Sequence, residues 1–83
     1  MKIKIGIRNR DKEKMSIIKE PEAIEDFIAP DETIDVETDA EEDNILIDIG
    51  KNEDGSIYVQ IWDSAKTEYV IYKDGKNLFE AYL

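Results

Sequence analysis

The chain has 83 residues, no cysteine, no histidine and a formal net charge of −10 at neutral pH. That length holds one domain (residues 1–83) with one modest core, and the missing cysteines exclude a disulfide framework and a thiolate zinc site. The charge repels nucleic acid and anionic membrane at long range, and no apolar run reaches the roughly 18 residues of a membrane span. The first residues lack the apolar stretch of a signal peptide, so a cytoplasmic location is expected.

In chain order, Lys2 to Arg8 alternates with period two, which predicts a half-buried strand. Asn9 to Lys14 is a polar connection, and Met15, Ile17 and Ile18 predict a second strand. The period then changes. Pro21 suits a first helical turn, Glu22, Glu25 and Asp26 suit the positive end of a helix dipole, and Ile24, Phe27 and Ile28 fall at i, i+3, i+4. Pro30 ends the run. A short α-helix over about residues 21–29 is therefore predicted, docked on a sheet through that apolar face.

The remainder predicts strands joined by turns. Thr33 to Thr38 alternates apolar and acidic, and an acidic turn follows from Asp39 to Asn44. Ile45 to Ile49 is strongly apolar and is expected to be central. Asn52-Glu53-Asp54-Gly55 predicts a turn, Ser56 to Trp62 a strand, Ser64 to Thr67 a loop, and Glu68 to Lys73 another strand. Asp74-Gly75 predicts a tight hairpin into Asn77 to Tyr82. Residues 77–83 fit a strand or a helix equally, because Leu78, Phe79, Ala81 and Tyr82 choose neither period. The fold class expected is α+β: an antiparallel, meander-like sheet of about 5–7 strands with one short helix on one face.

The charge is segregated. Residues 1–19 hold seven basic and two acidic side chains, whereas residues 20–50 hold thirteen carboxylates and no lysine or arginine. Self-repulsion of this size costs stability, so a surface offered to a basic partner is a natural use for it. In a strand, side chains at i and i+2 share a face about 6.6–6.8 Å apart. Asp35, Glu37 and Asp39 would then form a row resembling successive phosphates, with Ile34 and Val36 turned inward and Glu41, Glu42 and Asp43 extending the row. The plainer alternative is a solvated face that keeps the chain soluble. An EF-hand fails, because a loop begun at Asp35 puts Ala40 where the glycine belongs; weak calcium binding at Asp39 to Asn44 by another geometry is a minor alternative, and no metal site is expected.

Catalysis has little to work with. Histidine is absent, the serines have no partner suggested by spacing, and the four glycines form no phosphate-cradling loop. A non-enzymatic protein without cofactor is expected. The aromatic residues offer a second feature. If Ile57, Val59 and Ile61 face inward, Tyr58, Gln60 and Trp62 face outward, where Tyr58 and Trp62 can anchor a partner or pack cross-strand.

Size and charge resemble, at the level of class only, small phage-encoded inhibitors of host defence and bacterial toxin-immunity proteins. That resemblance implies an inhibitory binding protein that occludes a basic, nucleic-acid-binding surface of another protein, as a DNA mimic of anti-CRISPR or anti-restriction type would. Its partner-binding residues would be Asp35, Glu37, Asp39, Glu41, Glu42, Asp43, Tyr58 and Trp62. The alternatives are an immunity protein for a basic nuclease and an assembly subunit using an aromatic sheet face. Homodimerisation through that face or an edge strand is a further route.

Overall fold

Alternation along the chain sets nearly all of the structure. The computed structural model describes residues 3–20, 22–38, 45–62 and 69–80. Among these residues eight strands follow in order: β1 Ile3–Arg8, β2 Met15–Lys19, β3 Ile24–Ile28, β4 Thr33–Thr38, β5 Leu46–Lys51, β6 Ile57–Trp62, β7 Tyr69–Lys73 and the short β8 Lys76–Asn77. They form two four-stranded sheets, sheet I in the order β1-β4-β7-β8 and sheet II in the order β3-β2-β6-β5. All pairings are antiparallel except β2 with β6, which run parallel at the centre of sheet II.

Each sheet turns one row of apolar side chains inward. Ile34, Val36, Tyr69 and Ile71 from sheet I meet Met15, Ile17, Ile28, Val59 and Ile61 from sheet II, and Phe79 joins them. The result is a two-layer sandwich around a single core, the arrangement in which alternating strands bury one face each.

Two polar ties hold the layers in register. At one end Asn9 is almost wholly buried. Its side-chain amide donates to the carbonyls of Glu13 and Ile28, and its Oδ1 accepts from the Asp11 N–H. Its backbone N–H donates to the Glu32 carbonyl, and its own carbonyl accepts from the Asp31 N–H. One residue thus joins the β1–β2 crossover to the β3–β4 crossover. At the other end the Tyr69 hydroxyl of sheet I lies 2.7 Å from the carbonyl oxygens of both Glu20 and Ile61 in sheet II. A buried hydroxyl needs such partners, and here it finds them across the two layers.

The short connections have the residues their turns require. Gly55 at φ 89° donates to the Asn52 carbonyl, while the Asn52 N–H donates to the Ser56 carbonyl. This is a tight β5–β6 hairpin with glycine in the left-handed position. Asp74 and Gly75, at φ 54° and 77°, supply the two left-handed residues of the β7–β8 turn.

Several expectations are corrected. No helix occurs among the described residues, so the α+β class and the helix over about 21–29 are overturned, and the described residues form a nearly all-β fold. Residues Ile24–Ile28 pair with β2 along their whole length. The i, i+3, i+4 spacing of Ile24, Phe27 and Ile28 is genuine, but the same segment also alternates, with Ile24, Asp26 and Ile28 on one side and Glu25 and Phe27 on the other. A helix this short is marginal alone, whereas a strand satisfies its backbone on β2. Ala23 at φ 59° and Asp31 at φ 67° bound the segment with turns.

The simple meander is also replaced, because the chain passes repeatedly between layers and β2 pairs in parallel with the distant β6. The apolar strand beginning near Ile45 is not central: β5 is an edge strand, with Leu46 58% and Ile49 71% exposed. The predicted strand from Asn77 is only the short β8, followed by a turn through Glu80, and residues 81–83 lie outside the described residues. Among the described residues no helix is long and apolar enough to cross a membrane.

Candidate functional site

The sandwich has two outer faces, and the residues singled out from the sequence divide between them. Ile34 and Val36 are fully buried, so Asp35 and Glu37 turn to the outer face of sheet I as the alternation requires. They do not stand alone there. Glu37 lies directly opposite Lys4 in register, and Asp35 lies opposite Gly6 on one side and Tyr72 on the other. The Lys4 ammonium is 3.9 Å from the Asp35 carboxylate, whose side chain is 39% exposed. Arg8 adds a second cation to the same face and donates to the Thr33 hydroxyl. This surface is mixed in charge, with carboxylates half-buried between a basic strand and an aromatic ring. Asp39, Glu41, Glu42 and Asp43 lie outside the described residues.

Tyr58 and Trp62 are on the opposite outer face, that of sheet II. Val59 and Ile61 are buried in the core, and Tyr58, Gln60 and Trp62 point away from it, half-buried. The register assembles their neighbours. Phe27, Ser16, Tyr58 and Gly50 form one row across four strands, and Glu25, Ile18, Gln60 and Asp48 form the next. Trp62 pairs with Leu46 in a third row. Ser16, outward but almost wholly buried, sits between the positions of Phe27 and Tyr58.

The Tyr58 ring rests on Gly50. A β-carbon at residue 50 would come within 2.5 Å of the ring, so the absent side chain is what lets tyrosine lie flat across the strand. Phe27 remains 40% exposed, with the Lys14 ammonium 4.4 Å from its ring centroid. The Trp62 indole Nε1 is buried with no hydrogen-bond partner among the described residues. The face is therefore apolar and aromatic at its centre and carries Glu25 and Asp48 in a single cross-strand row.

At the Phe27 end the face runs into an open hollow of about 600 Å³. Asp11, Glu13, Glu25 and Asp54 line it beside Phe27, with Lys14 the one cation among its lining residues. The Asp54 carboxyl is held below the usual carboxylate range, first by the Ser56 hydroxyl and then by the Ser56 N–H, at 2.6 and 2.9 Å. It keeps its charge further into acid than an unbonded aspartate does. Among the described residues no group of carboxylates converges closely enough to hold a metal ion. What the hollow offers instead is four distributed carboxylates around one ring that Lys14 already covers, an acidic setting suited to a further lysine or arginine side chain.

Phe27, Glu25, Asp54 and Leu46 were not singled out from the sequence. The helix reading gave Glu25 a local role at a helix dipole and placed Phe27 inside. Asp54 was read only as a turn residue, and Leu46 as part of a central strand. The signal that could have found Phe27 was the alternation of Ile24, Asp26 and Ile28 around it. No family model matches this chain, and no curated protein or solved structure matches it either.

Proposed function

We propose that the protein is a non-enzymatic binding domain whose outer sheet II face docks on a basic protein and occludes that protein's nucleic-acid-binding surface. The observation that carries this reading is the joining of an aromatic patch to a carboxylate-lined hollow. Phe27, Tyr58, Trp62 and Leu46 supply rings and apolar surface, and Glu25, Asp48 and Asp54 supply charge beside them. Aromatic anchors ringed by polar groups are how a small surface obtains affinity, and complementary charge speeds encounter and selects the partner. The net charge of −10 supports the same choice of partner sign at long range.

In this reading a partner lysine or arginine enters the hollow between Glu25 and Asp54, beside the Phe27 ring that Lys14 already covers. The apolar part of the partner then covers Tyr58 and Trp62. Asp35 and Glu37 lie on the far side of the sandwich and contribute only to the long-range field. The test is capture from lysate on the immobilised protein, with bound material eluted by a salt gradient and assayed for loss of nucleic-acid binding. A basic protein retained by the wild type and by the Asp35→Asn/Glu37→Gln double variant, and lost with Glu25→Lys/Asp54→Lys, is the expected result. Undiminished retention by Glu25→Lys/Asp54→Lys overturns the proposal.

A further inference from the structure

We infer that the free edge of β5 is a self-association edge, on which a second copy of this chain adds its own β5 antiparallel about a two-fold axis at Ile49. The sheet edges are protected to different degrees. Unpaired edge strands invite another strand, and folds guard them with charge, inward-pointing polar groups or shortness. Along β1, Lys4 and Arg8 stand on the outer side. Along β3, Glu25 points out and the half-buried Asp26 sits in the inner row. The fourth edge, β8, has only two residues. The six-residue β5 has one outward charge, Asp48, and its inner row is uncharged at the middle, with Lys51 only at its end; Leu46 and Ile49 are 58% and 71% exposed, and no described strand pairs with its free edge.

The backbone of that edge is also oriented to accept a strand. The Asn52 N–H bonds the Ser56 carbonyl, so alternation along the β5–β6 ladder makes Gly50 with Tyr58 and Asp48 with Gln60 the bonded pairs. The N–H and C=O groups of Ile47, Ile49 and Lys51 therefore point to the free side. Beside them an open groove of about 590 Å³ runs between the β1 and β5 edges of the two layers, and it reaches the core residues Met15 and Val59. A strand added to β5 closes this side of the sandwich.

The occupant follows from register and charge. An antiparallel two-fold pair must place residues of one face beside the same face of the partner. With the axis at Ile49, each Ile49 bonds its counterpart, Ile47 lies beside the partner's Lys51 stem, and Asp48 lies beside the partner's Gly50. No carboxylate then opposes a carboxylate. An axis at Asp48 would set two aspartates against each other. In the favoured register both aromatic faces lie on the same side of one continuous eight-stranded sheet, but the inference is independent of what those faces bind.

Two measurements test it. Because each chain carries −10, association should strengthen as salt screens the repulsion, opposite to binding of a basic partner. Sedimentation equilibrium of the full chain should show mass rising toward twice the monomer with protein and salt concentration. The Ile49→Lys variant should stay monomeric with an unchanged circular dichroism spectrum. The chain has no cysteine, so single-cysteine variants report the register directly. Directly paired positions lie about 5.5 Å apart at Cα, within reach of a disulfide, whereas the two Ile47 positions are offset by roughly 14 Å along the strand. Mild oxidation should crosslink Ile49→Cys at least tenfold faster than Ile47→Cys. A wild type that is monomeric at every concentration and salt overturns the inference, as does equal crosslinking of the two variants.

Discussion

The two outer faces come from strands of the same alternating kind, yet they differ in what they leave for another molecule. On sheet I the acidic strand β4 lies between β1 and β7, so its carboxylates meet Lys4 across one border and Tyr72 across the other. On sheet II the central strands β2 and β6 carry Ser16, Ile18, Tyr58 and Gln60 outward, and the flanking strands add Phe27 and Leu46. A region dense in charge along the sequence becomes a mixed surface once its neighbours are in place. A region with little charge becomes an aromatic patch with a charged hollow at its end. Cross-strand neighbours decide what a strand offers, because they fix which charges are answered within the fold.

The largest expected effect is on binding. Removing Tyr58 and Trp62 together by alanine should weaken partner affinity by roughly 100-fold or more, the scale of central aromatic anchors. Asp35→Asn/Glu37→Gln should change it by less than about threefold once salt is at physiological strength. Titration calorimetry against the captured partner reads both. Equal losses would erase the distinction between the faces.

A stability control comes next, since weakened binding must be told apart from a weakened fold. Tyr69→Phe removes the hydroxyl that joins the Glu20 and Ile61 carbonyls while touching neither outer face. It should lower urea stability by about 1–3 kcal/mol and leave partner affinity in the folded protein unchanged.

Acid should separate the two sides more gently. The Glu32 carboxyl is held below its ordinary range by the Ala29 N–H first and Lys73 second, and Asp54 is held down by Ser56. A group whose folded value is lowered stabilises the fold above its unfolded value and loses that contribution as pH falls through the folded one. Glu32→Gln and Asp54→Asn should therefore each narrow the gap in stability between neutral pH and strong acid. Urea titrations at several pH values measure this, and an unchanged gap would mean that these contacts do not persist in solution.

The smallest effect belongs to the Lys4–Asp35 pair. Both side chains are substantially exposed and 3.9 Å apart, so a double-mutant cycle should give about 0.5 kcal/mol or less. A coupling well above that would make the sheet I face a rigid ion-pair surface rather than a loosely balanced one.

Much of the fold was legible in the sequence. The alternation of Thr33 to Thr38, with Ile34 and Val36 inward, appears in β4 with the same bounds, and the turn residues at Gly55 and Asp74-Gly75 mark both hairpins. Two features were not legible, for physical reasons. Ile24, Phe27 and Ile28 satisfy helical and strand spacing at once, and only the availability of β2 as a pairing partner decides between them. The apolar run from Ile45 signals hydrophobicity on both sides of a strand, and that pattern fits a central strand as well as an edge strand. The parallel β2–β6 pairing is long-range and leaves no local mark. For the site, the outward direction of Tyr58 and Trp62 was readable from period two. Their neighbours Phe27 and Leu46 were not, because they depend on sheet order.

The central claim, that the sheet II face and not the acidic strand meets the partner, is tested most directly by hydroxyl-radical footprinting of the complex. Phe27, Tyr58 and Trp62 report on one outer face and Tyr72 on the other. Protection of Phe27, Tyr58 and Trp62 on complex formation, with Tyr72 oxidised as in the free protein, is the predicted result. Protection of Tyr72 with the other three unchanged would contradict it.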